Sequence, residues 1–278
     1  MSDRYAVIGN PIEHSKSPFI HYRFARQTGQ DLVYERILGD LEYFADDVRG
    51  FFAAGGKGLN VTVPFKEQAW RLADELGAEA HTAGAVNTLT LLEDGRVRGN
   101  NTDGVGLVRD LQQNLGLDLS ARRVLLLGAG GASRGVARPL LEQQPKILVI
   151  ANRTAARARD LAAQLQSFGP VAGSGLDELG EEPFDLVING TAAGLKGEVP
   201  QISPRCFGRD AWAYDMMYAA EPTAFVKWAR EQGVAHAVDG LGMLVEQAAE
   251  SFFLWRGIRP DTENLLEEMR SGIQNETG

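Results

Sequence analysis

The chain has 278 residues, of which 44% are hydrophobic and 23% charged, so it is long enough for two ordinary domains and has the composition of a folded, soluble protein. Its formal net charge of -9 argues against a nucleic-acid binder, which is expected to present a basic face. The single cysteine, Cys206, excludes an intrachain disulfide and a cysteine-clustered metal site, and it fits a reducing cytoplasm. The N-terminus has no signal-peptide pattern and no apolar run is long enough to span a bilayer, so we expect no membrane association.

Short apolar runs alternate with helical patterns along the first part of the chain, which is typical of a sheet covered by helices. Strands are predicted at 5–9, 32–38 and 57–63, and helices at 17–29, 41–56 and 66–76. Two extended stretches around the turn dipeptide Asp94-Gly95 then predict a hairpin, and a helix is predicted at 104–116.

A second α/β unit begins after Asp103, with the fully apolar strand Val124–Leu127. We predict an α/β fold of two domains, the first followed by a Rossmann-like, doubly wound nucleotide domain. The chain shows no internal repeat and no low-complexity linker between them.

The second unit carries a glycine-rich turn between its first strand and the following helix. Gly128 permits a tight turn, Gly130 lets the backbone approach a pyrophosphate, and a helix beginning near Ser133 offers free N–H groups. The candidate pyrophosphate-binding residues are therefore Gly128, Gly130, Gly131, Ala132 and Ser133. Because Ser133 occupies the third glycine position of the usual fingerprint, a plain strand-to-helix turn is the alternative.

The next predicted strand, 146–151, leads into Asn152, Arg153 and Thr154, with Arg157 beyond. An enzyme that uses NAD usually has an acidic residue there, which accepts hydrogen bonds from the ribose. Arginine instead grips a phosphate with two hydrogen bonds, so this stretch favours NADP. The alternative is a basic, solvated helix start, although acidic residues suit a helix N-terminus better.

The stretch "NVTVPFKE" places a cation directly after a strand. Val61 and Val63 alternate with Asn60 and Thr62, and Pro64 ends the strand because it has no N–H to donate. Lys66 follows, at the kind of strand end where α/β proteins carry their chemistry. A solvated lysine at a helix start is the alternative.

Motifs spread over almost the whole chain resemble those of the shikimate dehydrogenase family. In order they are "GNPIEHSKSP", "NVTVPFKE", "AGAVNTL", "GNNTDGVG", "LLGAGGASRG", "ANRT", "YDMMY" and "DGLGMLVEQAAESF". The resemblance implies an NADP-dependent oxidoreductase of aromatic amino acid biosynthesis that interconverts 3-dehydroshikimate and shikimate. It also implies a domain of residues 1–103 plus 240–278 for the small-molecule substrate and a domain of residues 104–239 for NADP, in a monomer or a homodimer.

The resemblance also implies a role for each matching residue. Lys66 is the proton donor and Asp103 its carboxylate partner, and Ser15 and Ser17 bind the substrate carboxylate. An extended backbone is expected to aim both serine hydroxyls to one side, and the alternative is that Ser17 caps the following helix. The further substrate-binding candidates are Asn60, Thr62, Asn87, Tyr218 and Gln247, and the further cofactor-binding candidates are Thr191, Met216, Gly240 and Met243.

Two other functions stay open on the sequence. One is a quinate dehydrogenase or an enzyme of dual specificity. The other is a nucleotide-responsive regulatory protein without catalysis, because a fold does not guarantee an activity. The pairing of Lys66 with Asp103 argues against the second, because a protein that only binds ligands has no chemical need of it.

Overall fold

A computed structural model of the protein describes residues 2–191, 193 and 197–275. The first half of the chain forms a mixed sheet with helices on both faces. Its elements are β1 (Asp3–Gly9), α1 (Ser17–Thr28), β2 (Leu32–Leu38), α2 (Phe44–Ala53), β3 (Gly56–Val61), α3 (Lys66–Leu72), β4 (Glu75–Leu76), α4 (Ala78–Ala83), β5 (Thr88–Leu91) and β6 (Val97–Asn100).

The strand order of this first sheet is β2-β1-β3-β5-β6-β4. Strands β1, β2 and β3 are parallel, whereas β5 pairs antiparallel with β3 and with β6, and the predicted hairpin at Asp94-Gly95 joins β5 to β6. The helix predicted over 66–76 is wrong in its second half, because it ends at Leu72 and residues 75–76 form β4 beside β6. The Asp74 and Gly77 N–H groups donate to the Val97 and Gly99 carbonyls at 2.8 and 2.9 Å, and these sheet bonds replace the helical ones.

The second half forms a parallel sheet. Its elements are α5 (Asp103–Arg109), which continues as a π-helix (Asp110–Asn114), β7 (Arg123–Leu127), α6 (Gly131–Glu142), β8 (Ile147–Asn152), α7 (Ala155–Leu165), β9 (Val171–Gly175), β10 (Phe184–Asn189), β11 (Phe207–Asp215), α8 (Ala224–Glu231), β12 (His236–Val238), α9 (Leu241–Arg256) and α10 (Glu263–Asn275), with short 3-10 turns at Gln166–Phe168 and Pro204–Cys206. The strand order is β12-β11-β10-β7-β8-β9, so strands are added on one side of β7 up to β9 and on its other side from β10 onward. In such sheets a nucleotide binds at that switch point.

The C-terminal helix α9 returns to the first sheet and packs between it and α5. A Cβ on Gly106 of α5 would stand 2.6 Å from Gln247 Cβ, so the two helices meet at a residue without a side chain. Further along α9, Trp255 covers Gly58 and donates from its indole nitrogen to the Leu89 carbonyl at 3.2 Å. The predicted fold class is therefore confirmed: two α/β units, with C-terminal helices returning to the first.

Each sheet is covered on both faces by apolar side chains. In the first sheet, α2 packs on one face around Phe44 and Phe65, whereas α1, α9 and α10 share a cluster around Phe24 and Phe252 on the other. In the second sheet, α6 and α7 pack on one face and α8 on the opposite face. No helix among the described residues is long and apolar enough to cross a membrane.

Candidate active site

Lys66 and Asp103 meet at one end of the first sheet. Lys66 is the first residue of α3, just after β3, and Asp103 is the first residue of α5, just after β6. Lys66 Nζ lies 2.5 Å from Asp103 Oδ2, and the side chains are 20% and 8% exposed. The ammonium is thus held in a charged hydrogen bond while part of the Lys66 side chain stays exposed.

Asn87 binds the other oxygen of the same carboxylate. Its Nδ2 donates to Asp103 Oδ1 at 2.8 Å, and its Oδ1 accepts the Thr102 N–H at 2.9 Å. Gln247, from α9, places its Oε1 3.3 Å from Asn87 Nδ2. Segments far apart in the sequence therefore converge on Asp103, as we expect of a site that must hold its groups in one geometry.

Asn60 lies beneath this group in a buried polar network. Its Nδ2 is within 3.2 Å of the Asn87 carbonyl and Thr88 Oγ1 and 3.0 Å from Ser251 Oγ, and its Oδ1 accepts from the Tyr34 hydroxyl at 2.7 Å. Because both the nitrogen and the oxygen of the Asn60 amide are hydrogen-bonded within the protein, its role in this geometry is to hold the Asn87 backbone in place.

Thr62 lies in the turn after β3, where its N–H donates to the Ile8 carbonyl at 3.0 Å. Its methyl group packs against Gly9. Over the described part of the chain its hydroxyl makes no hydrogen bond to Lys66 or Asp103, so the structure does not join Thr62 to that pair.

Ser15 and Ser17 lie side by side at the start of α1, but the extended backbone predicted for them is wrong. Lys16 has φ -87° and ψ -5°, and Ser17 is already the first helical residue. Pro18 explains this, because a proline in the first turn suits a helix and outweighs its bias on the preceding residue. The alternative cap by Ser17 is also wrong, since the N-cap position belongs to Lys16. The two serines approach through the Ser17 N–H, which donates to Ser15 Oγ at 3.3 Å.

Tyr34 joins the serines to the buried network. Burial raises the pKa of the Tyr34 phenol well above its ordinary value, and a hydrogen bond from Ser17 opposes part of that rise. Because the Tyr34 hydroxyl also donates to Asn60, polar contacts run continuously from Ser17 to Asn87 and Asp103.

Tyr218 comes from the second unit and reaches the same loop. Burial raises the pKa of its phenol above the ordinary value, and a hydrogen bond from the Lys16 backbone opposes part of that rise. The loop that carries Tyr218 is anchored by Asp215, a fully buried carboxylate that accepts from the Met217 N–H at 3.1 Å and the Thr223 hydroxyl at 2.6 Å. Asp215 is the acidic residue of the "YDMMY" stretch, and its role in the structure is to anchor this loop.

The glycine-rich turn lies at the switch point of the second sheet. Gly128 has φ +103°, which favours glycine, and a Cβ on Gly190 would stand only 2.6 Å from Ser133 Oγ. Ser133 is fully buried against this turn, so it takes the close-packed place of the third glycine. Around Gly130 and Gly131, by contrast, an added Cβ would meet open space, and α6 begins there without a side-chain cap.

This geometry fits a bound dinucleotide phosphate. The uncapped N-terminus of α6, including Ala132, provides backbone N–H groups and a partial positive charge for a pyrophosphate. Beyond β8, Arg153 and Arg157 are exposed, and neither forms an ion pair within the described residues. Asn152 donates to the Thr154 carbonyl at 3.0 Å and shapes the turn that presents them.

The other predicted cofactor contacts differ in how exposed they are. Thr191 follows β10 and donates from its hydroxyl to Asn189 Oδ1 at 2.7 Å. Met216 is half-buried beside Gly190, whereas Met243 is 7% exposed and belongs to the core cluster. Gly240 is required for packing, because a Cβ there would lie 2.5 Å from the Met216 carbonyl oxygen.

Several residues of this site were missed by reasoning from the sequence. Thr102, Tyr34, Thr88 and Ser251 all bond to the predicted residues. Thr102 adjoins Asp103 after a strand and was open to prediction. Thr88 likewise adjoins Asn87 and donates to its Oδ1 at 2.9 Å. Tyr34 and Ser251 carry no local signal, because the Asn60 side chain that they contact lies 26 and 191 residues away in the chain.

The chain matches three family models in succession. Residues 7–89 match the shikimate dehydrogenase substrate binding domain, residues 110–196 match shikimate / quinate 5-dehydrogenase, and residues 240–270 match the shikimate 5'-dehydrogenase C-terminal domain.

Relatives and solved structures agree over nearly the full length. The chain is 58% identical to a shikimate dehydrogenase (NADP(+)) from Alkalilimnicola ehrlichii over 97% of this chain and 99% of the relative. An Ael1 enzyme from Pseudomonas putida has a TM-score of 0.90 at 48% identity, with 96% of this chain and 98% of that one covered. A shikimate 5-dehydrogenase from Thermus thermophilus, in complex with NADP(H) and shikimate, has a TM-score of 0.85 at 33% identity over 97% and 99% of the two chains.

Proposed function

The chain belongs to the NADP-dependent shikimate dehydrogenase family, and we propose that it interconverts 3-dehydroshikimate and shikimate at the cleft beside Lys66 and Asp103. The observation that carries the proposal is the 2.5 Å contact between Lys66 Nζ and Asp103 Oδ2, with Asn87 on the other carboxylate oxygen. A cation and a carboxylate held this way at an open strand end suit proton transfer to a substrate oxygen.

The residues divide the work as follows. When bound, NADPH supplies the hydride that reduces the ketone carbon. Lys66 donates a proton to the ketone oxygen as negative charge develops there, and Asp103 orients the ammonium and accepts from a substrate hydroxyl. In the reverse direction the same amine takes the proton from the alcohol.

Asn87 and Gln247 suit the hydroxyl groups of the substrate ring, because a neutral amide both donates and accepts. Asn60, Thr62 and Tyr218 support or border this pocket. Ser15 and Ser17 receive the carboxylate at the start of α1.

The glycine turn and the arginines after β8 form the NADP site. Gly128, Gly130 and Gly131 let the pyrophosphate approach the backbone, and Arg153 and Arg157 bind the phosphate that distinguishes NADP from NAD. Thr191, Met216, Gly240 and Met243 border the nicotinamide end.

The domains follow from this division. Residues 1–103 with 240–278 form the substrate domain and residues 104–239 the NADP domain, although Met1, 192, 194–196 and 276–278 lie outside the described residues. We also propose a cytoplasmic monomer or homodimer that binds no nucleic acid, and light scattering after size-exclusion chromatography measures its mass.

Initial rates followed by NADPH absorbance test the function, with shikimate and quinate each offered NADP and NAD. We expect strong preference for shikimate with NADP. Turnover mainly of quinate or mainly with NAD would contradict the specificity, and no turnover in any pairing would favour a non-catalytic nucleotide-binding role.

A further inference from the structure

Strand β2 presents an arginine to the loop that carries the two serines. Arg36 donates from Nε and Nη2 to the Ser15 carbonyl oxygen at 3.0 and 2.6 Å. Its side chain is exposed, and no carboxylate pairs with it within the described part of the chain. A guanidinium is always charged and strongly directional, so Arg36 brings an uncompensated positive charge to one side of this loop.

The loop is closed by its own hydrogen bonds and leads into a helix N-terminus. The Ser15 N–H donates to the Ile12 carbonyl at 3.0 Å, and the Ser17 N–H donates to Ser15 Oγ at 3.3 Å. The 12-residue helix α1 starts at Ser17 without a side-chain cap, so its positive end faces the same place. The Arg36 guanidinium is thus bound to the backbone of the segment that carries both serine hydroxyls and the start of α1.

We propose that Arg36 is the residue that positions the Ser15–Ser17 loop and gives it preference for a carboxylate over a neutral group. The inference rests on the proposed function, which gives Ser15 and Ser17 the substrate carboxylate. Arg36 acts in two ways: its paired N–H donors fix the Ser15 carbonyl and so the directions of both hydroxyls, and its unpaired charge stabilises an anion beside them. Two donors on one carbonyl explain why the position suits arginine rather than lysine.

The two roles of Arg36, selection of a charged ligand and support of the loop, are separated by comparing an acid with its neutral analogue. The substrates are shikimate and the methyl ester of shikimate, at saturating NADP, and the variants are Arg36→Gln and Arg36→Lys. Arg49→Gln is the matched control, because Arg49 is an exposed arginine of the same unit, on α2, paired with Asp46.

We expect Arg36→Gln to raise KM for shikimate by about tenfold or more with kcat changed by less than about threefold, the size of one charged hydrogen bond. KM for NADP stays unchanged. The preference for shikimate over its ester falls by about tenfold in Arg36→Gln and by less in Arg36→Lys, which keeps the charge. Arg49→Gln leaves this ratio as it is in the unaltered protein.

An equal loss of kcat/KM for the acid and the ester, or unchanged KM for shikimate in Arg36→Gln, would overturn the inference. Circular dichroism checks that the variants fold, and Arg36→Met, which also removes the charge, carries the comparison if Arg36→Gln does not fold. Calorimetric binding of shikimate and of the ester makes the same comparison without turnover. The proposed function therefore fails on absent turnover, whereas the role of Arg36 fails on an unchanged ratio.

Discussion

Lys66 and Asp103 are 37 residues apart in the chain, yet Lys66 Nζ and Asp103 Oδ2 approach to 2.5 Å because each residue opens a helix after a strand of the same sheet. Strand β5 lies between those two strands, and Asn87 just before it completes the group by donating to Asp103 Oδ1 at 2.8 Å. The sheet thus carries all three side chains to one end, where the Lys66 side chain stays 20% exposed.

Replacement of Lys66 by methionine tests the proton donor. Methionine keeps the length of the side chain and removes its charge and its proton. We expect kcat for shikimate oxidation to fall by about two to four orders of magnitude, the usual contribution of a general acid or base. Stopped-flow and steady-state rates measure the loss, and NADP binding by fluorescence titration is expected to stay the same.

Lys57→Met is the matched control, because Lys57 is an exposed lysine on β3 of the same sheet. It removes one positive charge from the same sheet, at the end of β3 opposite to Lys66, without touching the pair. A Lys66→Met enzyme that retained full turnover would rule out Lys66 as the proton donor.

Elements were predictable where local patterns decide them. Strand β2 was predicted at its observed bounds, Leu32–Leu38, because its apolar run has clear turn residues on either side. Residues 75–76 were misassigned to a helix because their strand partner, β6, is more than twenty residues away and leaves no mark in the local pattern.

The site was predictable only in part. The serines, Lys66 and Asp103 stand out by motif, but the bond of Tyr34 to Asn60 and the contact of Arg36 with the Ser15 carbonyl join residues 21 or more positions apart. Such contacts depend on sheet register, which a single sequence does not specify. The start of α1 shows a different limit, since a proline's effect on the preceding residue competes with its preference for the first helical turn.

We predict that His21 makes the folded protein less stable in mild acid. It is fully buried on α1, its ring stacks on Tyr34 with centroids 4.2 Å apart, and neither ring nitrogen has a hydrogen-bond partner within the described residues. Burial lowers the pKa of His21 from 6.5 to about 3, while Asn60 nearby opposes the shift. The unfolded chain therefore takes up a proton on His21 as the pH falls through 6.5, and the folded protein does so only near 3.

The free energy of unfolding accordingly falls between about pH 6.5 and about pH 3, by about 2 kcal/mol from His21 alone at about pH 5. Urea unfolding of the unaltered protein and of His21→Phe at about pH 7.5 and about pH 5 measures it. The variant is expected to lose about 2 kcal/mol less between the two conditions. Equal losses in both proteins would show that His21 does not titrate in this way.

We predict that Arg153 sets the preference for NADP over NAD. It is exposed just after β8, beside the uncapped start of α6, and an arginine there can hold a phosphate by two hydrogen bonds. For Arg153→Gln we expect KM for NADP to rise by about ten- to a hundredfold and KM for NAD to change by less than about threefold, as for the loss of charged hydrogen bonds. Arg159→Gln is the control, because Arg159 on α7 is paired with Glu178 at 2.5 Å. A parallel rise in KM for both cofactors would contradict selection by Arg153.

Gly242 lies where α9 crosses the start of the second unit, and the close packing there leaves no room for a larger residue. A Cβ at this position would overlap the carboxylate of Asp110, which is 1% exposed. That carboxylate cannot easily move, because Tyr214 donates to Oδ2 at 2.6 Å and Asn114 donates to Oδ1 at 2.9 Å. For Gly242→Ala we therefore expect the free energy of unfolding to fall by about 2 kcal/mol or more, the cost of overpacking and of a disturbed buried network.

Gly272→Ala provides the comparison for helix propensity. Gly272 lies in α10, and a Cβ added there would meet open space. Since alanine is the better helix former by up to about 1 kcal/mol, this variant is expected to be as stable as the unaltered protein or more so. Urea unfolding of both variants separates the two effects, because propensity alone would stabilise α9 as well. A Gly242→Ala protein at least as stable as Gly272→Ala would mean that the Asp110 network yields to the methyl group at little cost.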